Sequence, residues 1–326
     1  MHSDPNSEAN RANSESQPLV SVVIPFFNRS NCILRTLQSV LLQSHTNWEA
    51  LIVDDGSSTE EREQLLTLVE QLGDDRFRVL VQAENCGGGA ARNVGMLAAR
   101  GQYIALLDSD DEWASGKLEA QVRLHASSGD MLVSYTRSVI DFGGLRGRQA
   151  PMPEHPIGRQ SVADYLFYVG GFMPTPSLFG SADVFKNCLF DESLRRHQDY
   201  DFLLSLEAFG CQFEMLHEVL VTIHWEDVGT AAGKRFYCPE VSEKFIADRP
   251  AMFSRRAAAA FRLNNVFAPR RQEEGLRAAY YRGFVRDLFS VASWKVRIVT
   301  MSLLLFNSTL PLRVLRGVLM AGRRVF

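Results

Sequence analysis

Acidic side chains crowd the ends of two apolar runs in this chain. The stretch LLDSDDE, Leu106 to Glu112, has four acidic residues among its last five, and VDDGS, Val53 to Ser57, has two in succession. Neighbouring carboxylates repel one another and cost free energy to desolvate at the end of a buried element. Each stretch is therefore either a solvated turn or a place where a cation neutralises the charge.

A glycine-rich stretch lies between the two acidic ones. Gly87, Gly88 and Gly89 are followed by Arg92. Glycines let backbone amides approach a phosphate at the positive end of a helix, and an arginine adds a fixed cation. Hard divalent cations prefer carboxylate oxygens and are usually completed by substrate phosphates. The acids and glycines together indicate a metal and nucleotide site, although the glycines alone would also suit a tight strand-to-helix turn.

The elements that must position these residues alternate along the first part of the chain. Apolar runs predict strands, and helical spacing or capping residues predict the helices between them. The predicted strands are Leu19–Pro25, Trp48–Asp55, Phe77–Val81 and Tyr103–Leu107, and the predicted helices are Cys32–Ser44, Thr59–Val69 and Gly87–Ala99. This alternation predicts an α/β fold with a mainly parallel sheet covered on both faces. Ligands of such sheets bind beyond the carboxyl ends of the strands, where the acids and glycines fall.

The alternation becomes irregular after Leu124. Met131–Val139 is predicted to be another strand, and Phe202–Phe209 is in helical register. From about residue 240 the pattern is mostly helical, with an apolar stripe at Tyr281, Phe284, Val285, Leu288 and Phe289.

The order of these motifs resembles the family 2 glycosyltransferases over roughly residues 18–230. The matching motifs are PFFN from Pro25, DDGS from Asp54, NCGGGAARN from Asn85, LDSDDE from Leu107, FDE from Phe190 and QDYDFLL from Gln198. The resemblance implies a GT-A fold, in which a Rossmann-like, mainly parallel sheet is flanked by helices, here with a mostly helical C-terminal extension. It also implies an inverting enzyme that uses a nucleotide-sugar donor.

The resemblance assigns donor and metal roles to particular residues. Those expected to bind the donor are Pro25, Asn28, Asp54, Asp55, Asn85, Gly87, Arg92 and Asp108. Asp55 would contact the base, and Asp108 the ribose. Asp110 would hold Mn²⁺ or Mg²⁺, and His224 would add a further contact to the metal or the diphosphate. A histidine beside a tryptophan, here Trp225, is also a common structural residue.

The resemblance further implies that Asp199 is the general base. It matches the second position of the family's Glu-Asp pair, and Gln198 stands in the first position. Asp199 would take a proton from an acceptor hydroxyl, which then attacks the anomeric carbon while the nucleoside diphosphate leaves. Ser205 stands where many members have an arginine, so the contact made by that arginine is not expected here.

Other functions fit the motifs less well. A sugar nucleotidyltransferase or a dinucleotide-binding oxidoreductase would place its glycine-rich loop after the first strand, where this chain has Pro25–Asn28. A non-catalytic glycosyltransferase-like binding protein would not need Asp108, Asp110 and Asp199 together. A transferase of sugars remains the favoured interpretation.

Length and composition predict three regions. With 326 residues and 46% hydrophobic content, the chain can form a large α/β domain and an appendage. Residues 1–17 are polar and lack an apolar run, which predicts a disordered leader and not an export signal. Residues 18–235 would form the glycosyltransferase domain, and residues 236–326 a basic helical region. Five scattered cysteines without CxxC spacing argue against a disulfide framework or a structural zinc.

The charge of the chain is divided unevenly. Residues 251–326 contain fourteen basic and three acidic residues, so they carry +11, and the rest carries −14 within a total of −3. Such an arm predicts an anionic partner, and no nucleic-acid reader motif accompanies it. Ile298–Leu312 is too short and interrupted to predict a membrane span. We therefore expect a cytoplasmic enzyme that is peripheral at the inner face of the membrane. The alternative role of residues 251–326 is packing on the catalytic domain or on a second copy of the chain. A UDP-sugar donor and a glycan or lipid-linked saccharide acceptor, in envelope or exopolysaccharide synthesis, complete the prediction.

Overall fold

A computed structural model describes residues 17–144, 147–225, 238–267 and 286–287. The chain divides into two compact units. One comprises the residues up to Glu154 together with Met173–Glu226, and the other comprises His155–Phe172 together with the residues from Asp227 onward. The division into a leader, a catalytic domain and a basic region remains a prediction. Residues 1–16 and most of residues 268–326 lie outside the part that the structure describes.

The first unit contains one eight-stranded sheet in the order β3-β2-β1-β4-β7-β6-β8-β5. Its strands are β1 Val20–Phe26, β2 Trp48–Asp54, β3 Phe77–Val81, β4 Tyr103–Leu106, β5 Glu112–Trp113, β6 Leu132–Asp141, β7 Phe179–Ser181 and β8 Gln212–His224. Strands β3, β2, β1 and β4 are parallel neighbours. Strand β7 is antiparallel to β4 and β6, β6 is parallel to β8, and β5 is antiparallel to β8. The sheet is therefore mixed, and the parallel half is the part that the alternating pattern predicts.

Helices flank this sheet. They are α1 Ser30–Leu41, α2 Thr59–Leu72, α3 Gly88–Ala98, α4 Lys117–Ala126, α5 Ala182–Asn187 and α6 Gln198–Phe209. The Ser58 hydroxyl caps α2 by accepting a hydrogen bond from the Glu61 amide, as its position before the helix predicts. Gly73, with φ of 62°, ends the same helix in the left-handed conformation. The predicted helices thus form at the predicted places, with ends shifted by a few residues.

The parallel strands form the core of the first unit. Every residue of β2 and β4 is buried, as expected for strands that are covered on both faces. Helix α3 packs close to this layer: a Cβ added at Gly95 would lie 2.4 Å from a methyl carbon of Val23. Gly95 thus allows the glycine-rich helix to lie directly on β1.

The carboxyl ends of these strands carry the polar motifs. Strands β1, β2 and β4 are parallel neighbours, so the segments that follow Phe26, Asp54 and Leu106 leave the same edge of the sheet. The acidic stretch after β4 runs into β5, which begins at Glu112 and pairs with Thr222 of β8. The edge predicted to bind the ligand therefore also includes the end of β8.

The second unit is helical in its described residues. It contains α7 Pro239–Ala247, α8 Arg255–Arg262, and π-helical turns at Asp164–Val169 and Leu263–Phe267. Four aromatic side chains pack together at its centre, namely Phe167, Phe245, Phe253 and Phe261. The predicted helical content from about residue 240 agrees with residues 239–267, whereas the apolar stripe at 281–289 falls almost entirely outside the described residues. Within the described ranges, no helix has the length and hydropathy needed to cross a membrane.

Candidate active site

Asp55 holds the glycine-rich loop against the end of β2. Its carboxylate accepts hydrogen bonds from the backbone amides of Cys86, at 2.7 Å, and Gly87, at 2.8 Å. Gly87 has a φ of 98°, a conformation that side chains other than hydrogen rarely allow. Two predicted donor residues, Asp55 and Gly87, are thus in direct contact.

Asp54 is fully buried and shapes the turn that follows β2. Its carboxylate accepts hydrogen bonds from Arg62 Nε, at 2.5 Å, and from the Ser57 amide, at 3.0 Å. Gly56 makes the tightest approach in this turn, because a Cβ there would lie 2.4 Å from the carbonyl carbon of Glu84. The structure gives Asp54 these internal partners, and its predicted contact with the nucleoside stays a prediction.

Asn28 is fixed beside the same turn. Its backbone has a φ of 49°, its side-chain oxygen accepts a hydrogen bond from the Ser58 amide at 3.0 Å, and its own amide donates to Ser57 Oγ at 3.0 Å. Pro25 lies three residues earlier in β1 and is paired with Val53 of β2. Pro25, Asn28 and Asp55 therefore lie on adjoining strand ends, as the resemblance implies for a nucleoside pocket.

Arg92 of α3 forms an ion pair with Asp108. The arginine is buried, and its Nε has no hydrogen-bond partner in the part of the chain that the structure describes. Its guanidinium also lies over the ring of Phe190, with the central carbon 5.4 Å from the ring centroid. A buried cation next to the start of a helix is an arrangement that suits a bound anion.

Helix α1 holds the backbone of the DSDD stretch. Arg35 donates to the carbonyl oxygen of Asp110 at 2.9 Å, and Thr36 donates to that of Asp111 at 2.8 Å. Arg29, just before the helix, forms an ion pair with the carboxylate of Asp110. None of these three partners was predicted, because each lies far from the acidic stretch in sequence.

His224 contacts the acidic stretch through Asp111 and Glu112. Its amide donates to Asp111 Oδ1 at 3.0 Å, and its Nε2 lies 2.8 Å from Glu112 Oε2. Burial, followed by the charge of Asp108, raises the pKa of Asp111 to about 8, although the His224 amide and nearby arginines oppose this rise. Among the described residues, no three His, Cys, Asp and Glu side chains are grouped so as to hold a metal ion by themselves. Asp108 and Asp110 could still supply two oxygen ligands to an ion that substrate phosphates complete.

Asp199 lies in the first turn of α6 and is exposed to solvent. Although the residue is exposed, the protein packed around its carboxylate raises the pKa of Asp199 by desolvation. The nearby backbone amides and the positive charge of Arg92 lower this pKa. The negative charge of Asp108 also raises it. Because Arg92 and Asp108 both act on Asp199, the predicted base and the predicted donor residues share one electrostatic environment.

Asn93 joins α3 to the segment that leads into α6. Its side-chain amide donates to the Phe190 carbonyl and to Glu192 Oε1, both at 2.9 Å, and its Oδ1 accepts from the Phe190 amide at 2.8 Å. The Phe190 ring stacks on Phe202 of α6, with centroids 4.1 Å apart. The FDE motif therefore attaches the helix of the predicted base to the glycine-rich helix.

Comparison with known proteins identifies the family of this chain. The family model "Glycosyl transferase family 2" matches residues 21–188. The amylovoran biosynthesis glycosyltransferase AmsB of Erwinia amylovora is 31% identical over 210 residues, which are 63% of this chain and 69% of AmsB. The Escherichia coli enzyme WfgD, named UDP-Glc:alpha-D-GlcNAc-diphosphoundecaprenol beta-1,3-glucosyltransferase, is 39% identical over 130 residues, 40% of this chain and 50% of WfgD.

A solved structure shows the same fold. The crystal structure of residues 1–349 of S. aureus TarS in complex with UDP superposes with a TM-score of 0.54 at 19% identity, covering 83% of this chain and 79% of TarS 1–349. The family match extends over more than half of the chain and includes Pro25, Asp55 and Asp108, whereas Asp199 and His224 follow it. The chain therefore belongs to the family 2 glycosyltransferases.

Proposed function

We propose that this glycosyltransferase moves a sugar from a UDP-sugar to a hydroxyl of a glycan or lipid-linked saccharide, with inversion at the anomeric carbon. The names of two relatives support the substrate classes. AmsB is named for the biosynthesis of amylovoran, and WfgD is named for transfer from UDP-Glc to a saccharide linked to diphosphoundecaprenol. The expected context is the synthesis of an envelope or exported polysaccharide.

The observation that carries the proposal is that Gln198, the residue before Asp199, lies against Gly88 and Gly89 at the start of α3, beside the Arg92–Asp108 ion pair. A displacement at the anomeric carbon needs a base on the acceptor side and positive charge on the leaving-group side. Asp199 is exposed and therefore accessible to an acceptor hydroxyl. Arg92 and the start of α3 would bind the diphosphate opposite it.

The nucleoside would lie along the ends of β1 and β2. Pro25 and Asn28 would line its pocket, and Asp55 would contact the base, with Asn85 and Gly87 forming the adjoining wall. In the structure Asp55 binds the amides of the glycine-rich loop. Contact between Asp55 and the base would therefore require that the base bind the same two carboxylate oxygens of Asp55, either together with the loop amides or in their place.

A Mg²⁺ or Mn²⁺ ion would be held by Asp110, with Asp108 directed to the ribose and His224 as a further contact to the ion or diphosphate. The donor set fits, because both aspartates are partly exposed carboxylates and such ions are commonly completed by substrate phosphates. When bound, the ion supplies positive charge that stabilises the leaving diphosphate. For the ion to bind, Arg29 would have to lose part of its contact with Asp110, and Arg92 part of its contact with Asp108.

Asp199→Asn tests the proposal directly. The amide cannot accept the acceptor's proton, so transfer should fall by about 10²- to 10⁴-fold, the usual contribution of a general base. Donor binding should remain, because the substitution leaves Asp55, Arg92 and Asp108 in place. Transfer from a panel of nucleotide sugars to a lipid-linked acceptor measures the first effect, and calorimetric titration with UDP measures the second.

Asp183→Asn is a matched control, since Asp183 is an exposed aspartate in the first turn of another helix, α5. This variant should transfer sugar at the wild-type rate. Transfer by the Asp199→Asn variant at a rate similar to wild type would show that the base lies elsewhere and would contradict the proposal.

The basic C-terminal region would bring the enzyme to the cytoplasmic face of the membrane. Its fourteen Lys and Arg residues in 251–326 support attraction to anionic lipid. A lipid-linked acceptor would be presented at the same surface. Packing on a second copy of the chain is the alternative role for this region.

A further inference from the structure

The side chain of Gln198 occupies the space above the glycines at the start of α3. A Cβ added at Gly89 would lie 2.7 Å from Gln198 Oε1, which is closer than real Cβ atoms approach other heavy atoms. A Cβ at Gly88 would lie 3.4 Å from Gln198 Nε2 and 3.1 Å from Arg92 Nη1. A side chain at Gly89, and to a smaller extent at Gly88, would therefore have to displace the Gln198 side chain, whether or not a phosphate is bound.

Gln198 also begins the helix of the predicted base. It is the first residue of α6, and Asp199 is the second. The residue before it, His197, is buried and has a φ of 63°, and its ring stacks on Tyr200 at a centroid distance of 5.6 Å. The backbone that enters α6 is therefore fixed on one side of Gln198, while the Gln198 side chain packs on α3.

We propose that Gln198 is a positioning residue that holds Asp199 at a set distance from the diphosphate-binding end of α3. The inference rests on the proposed role of Asp199 as the base and adds how the base is placed. A contact between the two helix starts connects the acceptor side of the site to the donor side.

The neutral amide at this position has an electrostatic consequence. A helix start carries partial positive charge, which favours an anion such as the donor diphosphate. The glutamate that the family usually has at position 198 would instead place a second carboxylate directly beside Asp199. Glutamine keeps the packing contact without adding negative charge next to Asp199.

Two substitutions separate packing from charge. Gln198→Ala removes the contact and should lower kcat by about 10- to 100-fold, the usual effect of a small misplacement of a catalytic group, with little change in donor KM. Gln198→Glu keeps the length but adds a charge. It should move the acid limb of the pH profile of kcat to higher pH, because a nearby negative charge disfavours ionisation of Asp199.

A double substitution tests the contact itself. Gly89→Ala should lower kcat because the new methyl group displaces Gln198. In the Gly89→Ala, Gln198→Ala variant the 2.7 Å contact with Gln198 is removed and Phe190 Cβ, at 3.3 Å, is the nearest remaining neighbour of the methyl group, so the loss should be clearly smaller than the product of the two single losses. Gly87→Ala with Arg195→Ala is the matched control: Arg195 Nη1 lies 2.7 Å from the Cβ position of Gly87, but the φ of 98° keeps alanine strained even after Arg195 is shortened.

The measurements are steady-state transfer kinetics, the pH dependence of kcat and the thermal unfolding of each full-length variant. Gln212→Ala is the control for loss of a glutamine, because Gln212 is exposed at the start of β8. Wild-type kcat in Gln198→Ala, or single losses that multiply in the double variant, would overturn the inference. An unfolded Gln198→Ala variant leaves the Gln198→Glu profile as the test, and an unshifted acid limb there overturns the inference as well. Transfer by Asp199→Asn would instead overturn the proposed function, so the two failures are distinguishable.

Discussion

At the scale of single residues, the carboxylates of Asp108 and Asp110 each have an arginine partner. Asp108 pairs with Arg92, and Asp110 pairs with Arg29. These arginines neutralise charge that would otherwise be repelled by Asp111 and Glu112. An ion at this site would compete with the guanidinium groups for the same oxygens, and the two arginines should affect metal binding in ways that can be measured.

Asp110→Asn should remove the metal dependence of nucleotide binding. The amide oxygen is a much weaker ligand for Mg²⁺ or Mn²⁺ than a carboxylate, while the fold should survive because the Asp110 carbonyl still accepts from Arg35. Calorimetric titration with UDP, in the presence and absence of Mn²⁺, measures the effect. An unchanged difference between the two titrations would argue that another residue holds the metal, and Asp183→Asn again serves as the control.

Arg29→Ala should have the opposite effect. Removing a competitor for the Asp110 carboxylate should tighten Mn²⁺ binding in the presence of UDP by about two- to five-fold, a modest change because the pair is partly exposed. Titration with Mn²⁺ at saturating UDP measures it. Weaker Mn²⁺ binding would contradict this explanation and would indicate that Arg29 itself contacts the nucleotide.

The candidate site could be predicted from the sequence only where its residues adjoin a motif. Asp55 and Asp108 follow apolar strands, and their pattern along the chain indicates a nucleotide site. Arg29 and Gln198 act through contacts with distant segments, with Asp110 and with Gly89 respectively. Such contacts depend on how helices dock, which local periodicity does not encode.

At the scale of elements, the first four strands agree closely with their apolar runs. Strands β1, β2 and β4 are almost entirely buried, so most of their side chains are apolar and the pattern is clear, whereas β3 is only partly buried. The short strands β5 and β7 have two and three residues, too few to establish a period. The long strand β8 mixes buried and exposed positions irregularly, and its pairing with β6 contains register shifts, so alternation is lost along it.

A buried polar network connects α4 to β6. His125 Nε2 lies 3.0 Å from Ser134 Oγ, and Gln121 donates to the same hydroxyl at 3.1 Å and accepts from Lys117 at 2.6 Å. The His125 ring also packs edge-on against Phe179. The contribution of this network to the free energy of unfolding should depend on pH, because Lys117 and His125 are basic groups held away from water.

Substitution of His125 should change how stability depends on pH. Burial lowers the pKa of His125 to about 4 from an ordinary 6.5, so between these values the unfolded chain binds more protons and stability falls as pH decreases. The full contribution would be up to about 3 kcal/mol. His125→Gln should reduce the fall in melting temperature between pH 6.5 and pH 4. His217→Gln, at an exposed position, should leave it unchanged, and equal slopes in the two variants would contradict the prediction.

At the scale of the whole molecule, charge divides the chain into an acidic body and a basic C-terminal region. The predicted donor site belongs to the acidic part, which carries −14, and residues 251–326 carry +11. The described piece of this region, α8, begins with the exposed residues Arg255 and Arg256. An enzyme with this distribution should approach an anionic surface through the basic region.

Binding to anionic liposomes tests this distribution. Each Lys or Arg near an anionic leaflet contributes roughly 1 kcal/mol, so replacing Arg313, Arg316, Arg323 and Arg324 with Gln should strongly reduce sedimentation with phosphatidylserine vesicles at low salt. Added salt should weaken binding of the unsubstituted chain because it screens these charges.

Deletion of residues 298–326 should reduce liposome binding as well, yet leave UDP affinity unchanged, since every residue predicted to bind the donor precedes Trp225. If the full-length chain does not sediment with anionic vesicles at low salt, the basic region does not bind membrane, and a change in oligomeric state on the same deletion would then identify it as a self-association element.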